Sequence, residues 1–344
     1  MTEALSTPSR LRRYRRALWG LALLLPSVLL LGVSLGAYHI PLQDIPALLL
    51  RGEGVAYQVL VALRLPRVLG GALVGGLLAL AGAALQGLFR NPLVDPGLIG
   101  VSAGAALGAA VFIVLLPGAG ALETYGLPLF AFLGGLLATR LLWRLAHTPL
   151  GVQVTVLLLS GLALNALVGA LIGLLTFLAS EQELRSLTFW TLGGFSALTW
   201  RLLLAGLPLG LLALFLLLPL ARGLNALALG EREAFHLGVD LERLKGRLVA
   251  GSALGVGVAV SLAGGIGFIG LLAPHLFRLL AGPDHRFLLP GSALLGASLT
   301  VLADLLARTL AAPSEIPVGV LTALLGGPFF LYLVLRHKRE VYRA

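Results

Sequence analysis

A membrane-spanning helix is encoded by the stretch Ala17-Leu-Trp-Gly-Leu-Ala-Leu-Leu-Leu-Pro-Ser-Val-Leu-Leu-Leu-Gly-Val-Ser-Leu-Gly-Ala-Tyr38, which contains no charged side chain. A helix needs about 20 mostly apolar residues to cross the hydrocarbon core of a bilayer. Nine further apolar runs follow, at about residues 64–88, 97–116, 126–146, 150–178, 199–221, 243–264, 267–281, 287–311 and 316–335. The runs are continuous, unlike the alternating strands of a membrane barrel, and unpaired backbone amides in lipid are costly. The sequence therefore predicts an all-α, polytopic membrane protein with about ten transmembrane helices.

The composition supports one membrane-embedded domain. Of the 344 residues, 58% are hydrophobic and 12% are charged, whereas soluble proteins are about 25% charged. We expect a single transmembrane domain over residues 1–344, embedded at 17–335, with cytoplasmic tails at 1–16 and 336–344. The basic residues Arg10–Arg16 before the first run could imitate a signal peptide. That run is too long for a signal core, so we expect the helix to be retained.

The basic residues lie between the apolar runs, and their placement predicts an orientation. The net charge is +10, and the chain contains 25 Lys and Arg residues but no cysteine. With ten crossings and a cytoplasmic N-terminus, 19 of the 25 fall inside. The six that fall outside are Arg51, Arg64, Arg67, Arg185, Arg201 and Arg308. This asymmetry follows the positive-inside rule, so we expect both termini in the cytoplasm and no nucleic-acid partner. The absence of cysteine excludes disulfides and thiolate metal sites.

Two arginines stand at the predicted outer mouth of the second run, in Arg64-Leu-Pro-Arg67. A spacing of three places them on one helical face, and proline suits the first turn of a helix. They either anchor the helix at the membrane interface or dock acidic residues of an external partner. Asp304 and Arg308 are four apart and could pair within the ninth run.

The predicted inner loop between the second and third runs contains two strong turn signals. Asn91 and Asp95 each precede a proline, an arrangement that favours turn initiation. The loop is either an ordinary turn or a rigid gate at the inner end of a transport path.

The longest predicted inner loop, Leu224–Arg247, is charged and amphipathic, and we call it the inner segment. Apolar positions surround Gly230 and Gly238, which predicts two short helices broken at the glycines. Such helices would present an apolar face to a protein partner or lie on the lipid surface. The mixture of acidic and basic side chains favours the protein partner. No carboxylate pair, zinc-binding spacing or nucleophile–base set is evident, so we predict no enzyme site.

Together these segments resemble the FecCD-type permeases, the membrane subunits of importers for cobalamin, haem and ferric siderophores. The resemblance covers about residues 60–335 in order, and the ordered set is more specific than any one motif. It rests on Arg64-Leu-Pro-Arg67, Gly82 through Gln86, Asn91-Pro-Leu93, Pro96-Gly-Leu-Ile-Gly100, Ser102, Trp190-Thr-Leu-Gly-Gly194, Gly230-Glu-x-x-Ala234-x-x-Leu-Gly238, Gly264 through His275, Arg278, Asp284-His-Arg286, Gly291, Asp304, Arg308, Glu315-Ile-Pro-Val-Gly319 and Gly326-Gly-Pro-Phe-Phe330.

The resemblance implies a type II ABC importer permease in the cell inner membrane, with roles for particular residues. It assigns docking of an external substrate-binding protein to Arg64, Arg67 and Arg308, and an inner gate to Asn91 and Leu93. It places coupling helices at about residues 223–242, and a short helix lining the outer vestibule in the segment through Trp190. The coupling residues are Gly230, Glu231, Ala234, Leu237 and Gly238.

The resemblance also implies partners and a mechanism. We expect a homodimer or a pair of homologous permeases, and two ATP-binding cassette subunits that carry the ATP and Mg. We expect no cofactor or metal on this chain, and alternating access driven by ATP. The resemblance does not identify which chelate is carried. The main alternative is an ion-coupled secondary transporter, which would need charged or unwound helices at mid-membrane. A membrane-embedded enzyme and a structural subunit are further alternatives.

Overall fold

The computed structural model describes residues 8–36, 38–118, 120, 124–148 and 151–341, and it is a bundle of α-helices. The helices are α1 (Pro8–Ser34), α2 (Ile45–Arg51), α3 (Val55–Gln58), α4 (Leu65–Leu88), α5 (Val101–Leu115), α6 (Gly126–Ala146), α7 (Val154–Leu178), α8 (Glu181–Leu192), α9 (Trp200–Leu217), α10 (Ala221–Leu227), α11 (Glu231–His236), α12 (Leu241–Ala263), α13 (Ile269–Leu280), α14 (His285–Ala307) and α15 (Val318–Val341). Two two-residue strands, β1 (His147–Thr148) and β2 (Gly151–Val152), pair antiparallel between α6 and α7.

Each of the ten predicted spans corresponds to an apolar helix. Within the described residues, seven helices are long and apolar enough to cross a membrane, and three more apolar helices are shorter. The predicted all-α polytopic architecture is therefore confirmed. The long helices are Ser9–Ser34, Val55–Leu88, Gly126–Ala146, Thr155–Leu178, Trp200–Leu227, Leu241–Ala263 and His285–Ala307, and the shorter ones are Val101–Leu115, Ile269–Leu280 and Val318–Tyr332.

The second span starts earlier than the sequence predicted. Its helix begins at Val55 and passes through a π-helical stretch, Val59–Arg64, before α4 begins at Leu65. Pro66 lacks a backbone N–H and its ring crowds the preceding turn. A wider π turn is one way in which a helix accommodates such a disruption. Pro66 is therefore inside a longer helix. The prediction that the span begins near Arg64 was wrong, because the helix begins at Val55, about one α-helical turn and the π stretch earlier.

Two of the spans, α5 and α13, are too short to cross a bilayer by themselves. The 12 residues of α13 rise about 18 Å, against about 30 Å for the hydrocarbon core. A short 3-10 turn, Pro96–Ile99, precedes α5, and non-helical backbone at 264–268 precedes α13. Such irregular backbone is tolerated at membrane depth only where protein surrounds it, and here Ile99 and Ile266 are buried. A Cβ on Gly82 of α4 would sit 1.8 Å from the Gly270 carbonyl oxygen, so only glycine permits this approach.

The centre of the bundle is formed by α4 and α14. In the apolar windows of their spans, 83% and 72% of residues are buried, against 17% for α7 and 28% for α1. Small residues let the central pair approach closely, because a Cβ on Gly75 would sit 2.4 Å from the Gly296 carbonyl oxygen. The two ends of α14 therefore mark the two ends of the bundle.

Candidate functional site

Three arginines and two carboxylates meet at the predicted outer end, and we call them the arginine cluster: Arg64, Arg67, Asp304, Arg308 and Glu315. They come from the start of α4, the end of α14 and the residues before α15. The predicted pair within the ninth span is present, because Arg308 Nε lies 3.5 Å from Asp304 Oδ2.

Two members of the cluster hold the C-terminal end of α1. Arg64 Nη1 donates to the carbonyl oxygens of Val33 at 2.7 Å and Ser34 at 2.8 Å, and Arg308 donates to that of Gly32. The last carbonyls of a helix lack intrahelical partners and carry partial negative charge. Both arginines are buried, with 6% and 7% exposure. They therefore cap α1, and their docking role stays a prediction.

The third arginine is enclosed by carboxylates. Arg67 Nε donates to the two oxygens of Asp304 at 2.9 and 3.1 Å, and its Nη2 lies 2.8 Å from Oδ1. Arg67 Nη1 donates to Glu315 at 2.9 and 3.0 Å. The two carboxylates stabilise the buried Arg67 guanidinium, because an unpaired charge inside a membrane protein is costly.

A cavity of about 690 Å³ opens beside the cluster, with Arg67 and Glu315 among its walls. Phe189 and Trp190 of α8 form another part of the wall, so the short vestibule helix implied by the resemblance is present. Its first turn is fixed by a capping box at Ser180. Ligand sites are commonly apolar clefts of about 300–1,000 Å³ with a few polar groups. The cavity therefore has the size and composition of a small-ligand site.

The predicted gate loop is a compact turn at the opposite end of α4. Asn91 Oδ1 accepts a hydrogen bond from Leu93 N at 2.9 Å, and Asn91 N donates to the Gln86 carbonyl at 3.1 Å. Asp95 Oδ1 accepts from Gly97 N at 2.8 Å. Burial raises the pKa of the Asp95 carboxyl, although the Gly97 hydrogen bond opposes the shift. The turn is well hydrogen-bonded, as its sequence predicted, and its role as a gate stays a prediction.

The inner segment is broken at Gly230 and Gly238 as predicted, but α11 is the one separate short helix within it, because α10 ends the span Trp200–Leu227 and α12 begins at Leu241. Ala234 of α11 is fully buried. Leu229, Phe235 and Leu237 are exposed by 67%, 68% and 64%. Such exposed apolar groups, side by side, are typical of a surface that a partner covers.

Contacts from other elements fix the position of α11. Lys245 of α12 is buried and reaches Glu231 at 2.8 Å and the Val152 carbonyl at 3.4 Å. Gly230 and Gly238 bound the helix with φ of +135° and +81°, a region that favours glycine. The five residues assigned to coupling thus form one small unit, whose coupling role stays a prediction. Sequence reasoning missed Lys245, because nothing in the local pattern indicates a partner 14 residues away.

A chain of polar contacts leads from α10 toward the gate loop. Asn225 Nδ2 donates to Asp284 Oδ1 at 2.7 Å, and its Oδ1 lies 2.8 Å from His285 Nδ1. The His285 ring in turn packs on Gly87 of α4, where a Cβ would meet Nε2 at 2.6 Å. Burial alone would raise the pKa of Asp284, but hydrogen bonds from Arg286 and Asn225 hold it below its ordinary value. Sequence reasoning did not single out Asn225.

The preceding residue of α4, Gln86, extends this contact to the loop itself. Gln86 Nε2 donates to the Val94 carbonyl at 3.2 Å, and Arg278 donates to Gln86 Oε1. The inner segment and the predicted gate loop are therefore connected through α4, α13 and α14 at this end of the bundle. Across the described residues, no group of three or more His, Asp or Glu side chains is arranged to hold a metal ion.

The comparison with known proteins identifies the family to which this chain belongs. A model of the FecCD transport family matches residues 23–336. The chain belongs to the FecCD transport family. It is therefore a multi-pass membrane permease, and the predicted recognition is confirmed.

Named relatives and a solved structure agree with the FecCD assignment. The hemin transport system permease HmuU of Yersinia pestis is 47% identical over 287 residues, which cover 83% of this chain and 85% of the relative. The vitamin B12 import system permease BtuC of Shigella boydii is 43% identical over 333 residues, covering 95% and 97%. A solved structure described as an inward-facing conformation of a metal-chelate type ABC transporter superposes with a TM-score of 0.81. It is 37% identical, covering 94% of this chain and 99% of that one.

Proposed function

We propose that this chain is the membrane-spanning subunit of an ATP-driven importer that carries a metal chelate of the haem, cobalamin or ferric-siderophore class. The observation that supports this most directly is the separation of two contact surfaces along α14. Asp304 at one end contacts Arg67, and His285 at the other contacts the inner segment. The 19 residue-to-residue steps from His285 to Asp304 rise about 29 Å, close to the thickness of a hydrocarbon core.

The two ends fit different partners. At the outer end, the positive charge of Arg64, Arg67 and Arg308 would dock acidic residues of a substrate-binding protein, above the 690 Å³ cavity. At the inner end, the exposed apolar groups of the inner segment would enter a groove in each ATP-binding cassette subunit. Closure of these subunits would move the inner segment, and Asn91 and Leu93 would gate the path between two copies of the permease.

The proposal places the chain in the cell inner membrane with both termini in the cytoplasm. The asymmetry of the basic residues supports this orientation, as does the position of the inner segment on the basic side. ATP and Mg would be bound by the partner subunits, and hydrolysis would occur there.

Uptake by a reconstituted transporter tests the proposal. The chain is co-expressed with the ATP-binding and binding-protein genes that lie beside its own gene, and the complex is placed in proteoliposomes. Labelled haem, cobalamin and a ferric siderophore are supplied with the binding protein, with ATP inside or omitted. We expect ATP-dependent uptake of one of the three. Uptake that follows an ion gradient without ATP would support the secondary transporter, and no uptake of any chelate would contradict the cargo class.

A further inference from the structure

The Arg67 guanidinium is already paired with two carboxylates of the chain itself. A guanidinium presents its N–H groups along fixed directions and binds carboxylates in a planar fork. In Arg67, Nε and Nη2 are bound to Asp304 and Nη1 is bound to Glu315. The Arg67 side chain is 12% exposed, so an acidic side chain of another protein has little access to it while both carboxylates are in place.

The two carboxylates differ strongly in how easily they can leave. The side chain of Asp304 is 2% exposed and also lies beside Arg308, so its departure would leave two buried cations without their shared counter-ion. The side chain of Glu315 is 42% exposed. Ion pairs that reach water contribute little stability. Glu315 is therefore the group that an incoming carboxylate can replace.

The other two arginines do not offer an equivalent exchange. Arg64 and Arg308 donate to main-chain carbonyls at the end of α1. A carbonyl of the chain cannot move away without unwinding α1, whereas a glutamate side chain only needs to rotate. These two arginines contribute positive charge to the surface, while Arg67 carries the replaceable contact.

Glu315 is also connected to the cavity. The next three residues, Ile316, Pro317 and Val318, line the cavity together with Arg67 and Glu315 itself. Ile316 N donates to the Ala307 carbonyl at 2.9 Å, so this short stretch bridges the end of α14 and the start of α15. Release of Glu315 from Arg67 would loosen the cavity wall at the point where a ligand arrives.

We propose that Glu315 is an internal substitute for an acidic side chain of the substrate-binding protein. It neutralises Arg67 while the outer face is empty, and a carboxylate of the binding protein displaces it on docking. The inference rests on the proposed function, because it requires an external binding protein. It adds a competing residue within the permease that makes docking an exchange of carboxylates and connects docking to the cavity wall.

The first test measures docking with the intact complex in nanodiscs and the binding protein from the same gene cluster. Glu315→Gln keeps the size of the side chain and removes its charge. We expect the Kd for the binding protein to fall about twofold to fivefold, the effect of removing an exposed ion pair. The gain should vanish in the Arg67→Gln background. An unchanged Kd for Glu315→Gln, or an equal gain without Arg67, would overturn the inference.

The matched control is Glu53→Gln, which removes the same charge from the predicted outer side. Glu53 is an exposed residue in the turn before α3. A general electrostatic effect would change the Kd equally in both variants, whereas carboxylate exchange predicts a change for Glu315→Gln alone. Equal changes would therefore also overturn the inference.

A second test needs no partner protein. Phenylglyoxal modifies accessible arginines, and peptide mass spectrometry reports the rate at Arg67. We expect this rate to rise severalfold in Glu315→Gln and to stay at the wild-type value in Glu53→Gln. Equal rates in all three proteins would contradict the shielding of Arg67 by Glu315. Failure of the binding protein to bind the wild-type complex would count against the proposed function, while the phenylglyoxal result would still decide whether Glu315 shields Arg67.

Discussion

The arginine cluster and the inner segment lie at opposite ends of the bundle and differ in which side chains they bury. The cluster buries charged groups and pairs them within the chain, so that Asp304 is 1% exposed. The inner segment leaves Phe235 and Leu237 more than 60% exposed. Burying a large apolar side chain stabilises an association by about 1.5–3 kcal/mol, whereas exchange of one exposed ion pair for another changes the free energy little. Under the proposed function, the difference corresponds to a durable partner at the inner end and a transient one at the outer end.

The largest effect is expected from making the inner surface polar. In the double variant Phe235→Asp and Leu237→Asp, we expect the affinity for the ATP-binding subunit to fall about 100-fold or more, from about 3–6 kcal/mol of lost apolar burial. Co-purification from detergent measures the loss. Phe235→Leu, which keeps the surface apolar, should bind as the wild type does. If the double variant retains the ATP-binding subunit, the exposed apolar side chains of the inner segment do not determine this association.

A loss of several kcal/mol in stability is expected from the centre of the arginine cluster. Asp304→Asn removes the shared counter-charge of Arg67 and Arg308, and breaking a buried pair on one side costs about 3–5 kcal/mol. Chemical denaturation in detergent measures the free energy of unfolding. Asp44→Asn, at an exposed position on the predicted outer side, should change it by less than about 0.5 kcal/mol. Equal stabilities for the two variants would show that internal pairing does not hold the cluster.

The smallest effect is expected where the inner segment itself uses an ion pair. Lys245→Met keeps the buried stem and removes the contact with Glu231, whose side chain is 44% exposed. We expect a loss of no more than about 1 kcal/mol, measured as less than a tenfold change in affinity for the ATP-binding subunit. Arg243→Met, which removes an exposed pair with Asp240, is the control. A loss as large as that of the double aspartate variant would mean that the orientation of α11, more than its apolar surface, determines the association.

The sequence predicted the spans well because a long run of apolar residues indicates a helix that is stable in lipid. It was less accurate where the chain departs from regular helix inside the membrane. The early start at Val55 and the π stretch that follows it depend on the packing of buried Leu60 against α1 and α4. Those departures are stabilised by neighbouring helices, so the local pattern of hydrophobicity carries no sign of them.

The residues of the candidate site also fall into two groups, those that the sequence could pair and those whose partners only the structure shows. Asp304 and Arg308 could be paired from their spacing, because four residues bring side chains together on one helical face. Glu315, Lys245 and Asn225 acquire their roles only through partners that are distant in the chain.

The sequence by itself determined that this protein spans a membrane about ten times and that three interruptions between spans carry polar character, and it predicted an orientation from its basic residues. These follow from solvation, which acts on each segment separately. Only the tertiary structure decided that Arg64 and Arg308 hold the end of α1 and that Arg67 is already bound to two carboxylates. It also decided that Phe235 and Leu237 are exposed while Ala234 beside them is buried. Pairing and exposure depend on which helices become neighbours, and that is set by the close packing of small residues across the bundle.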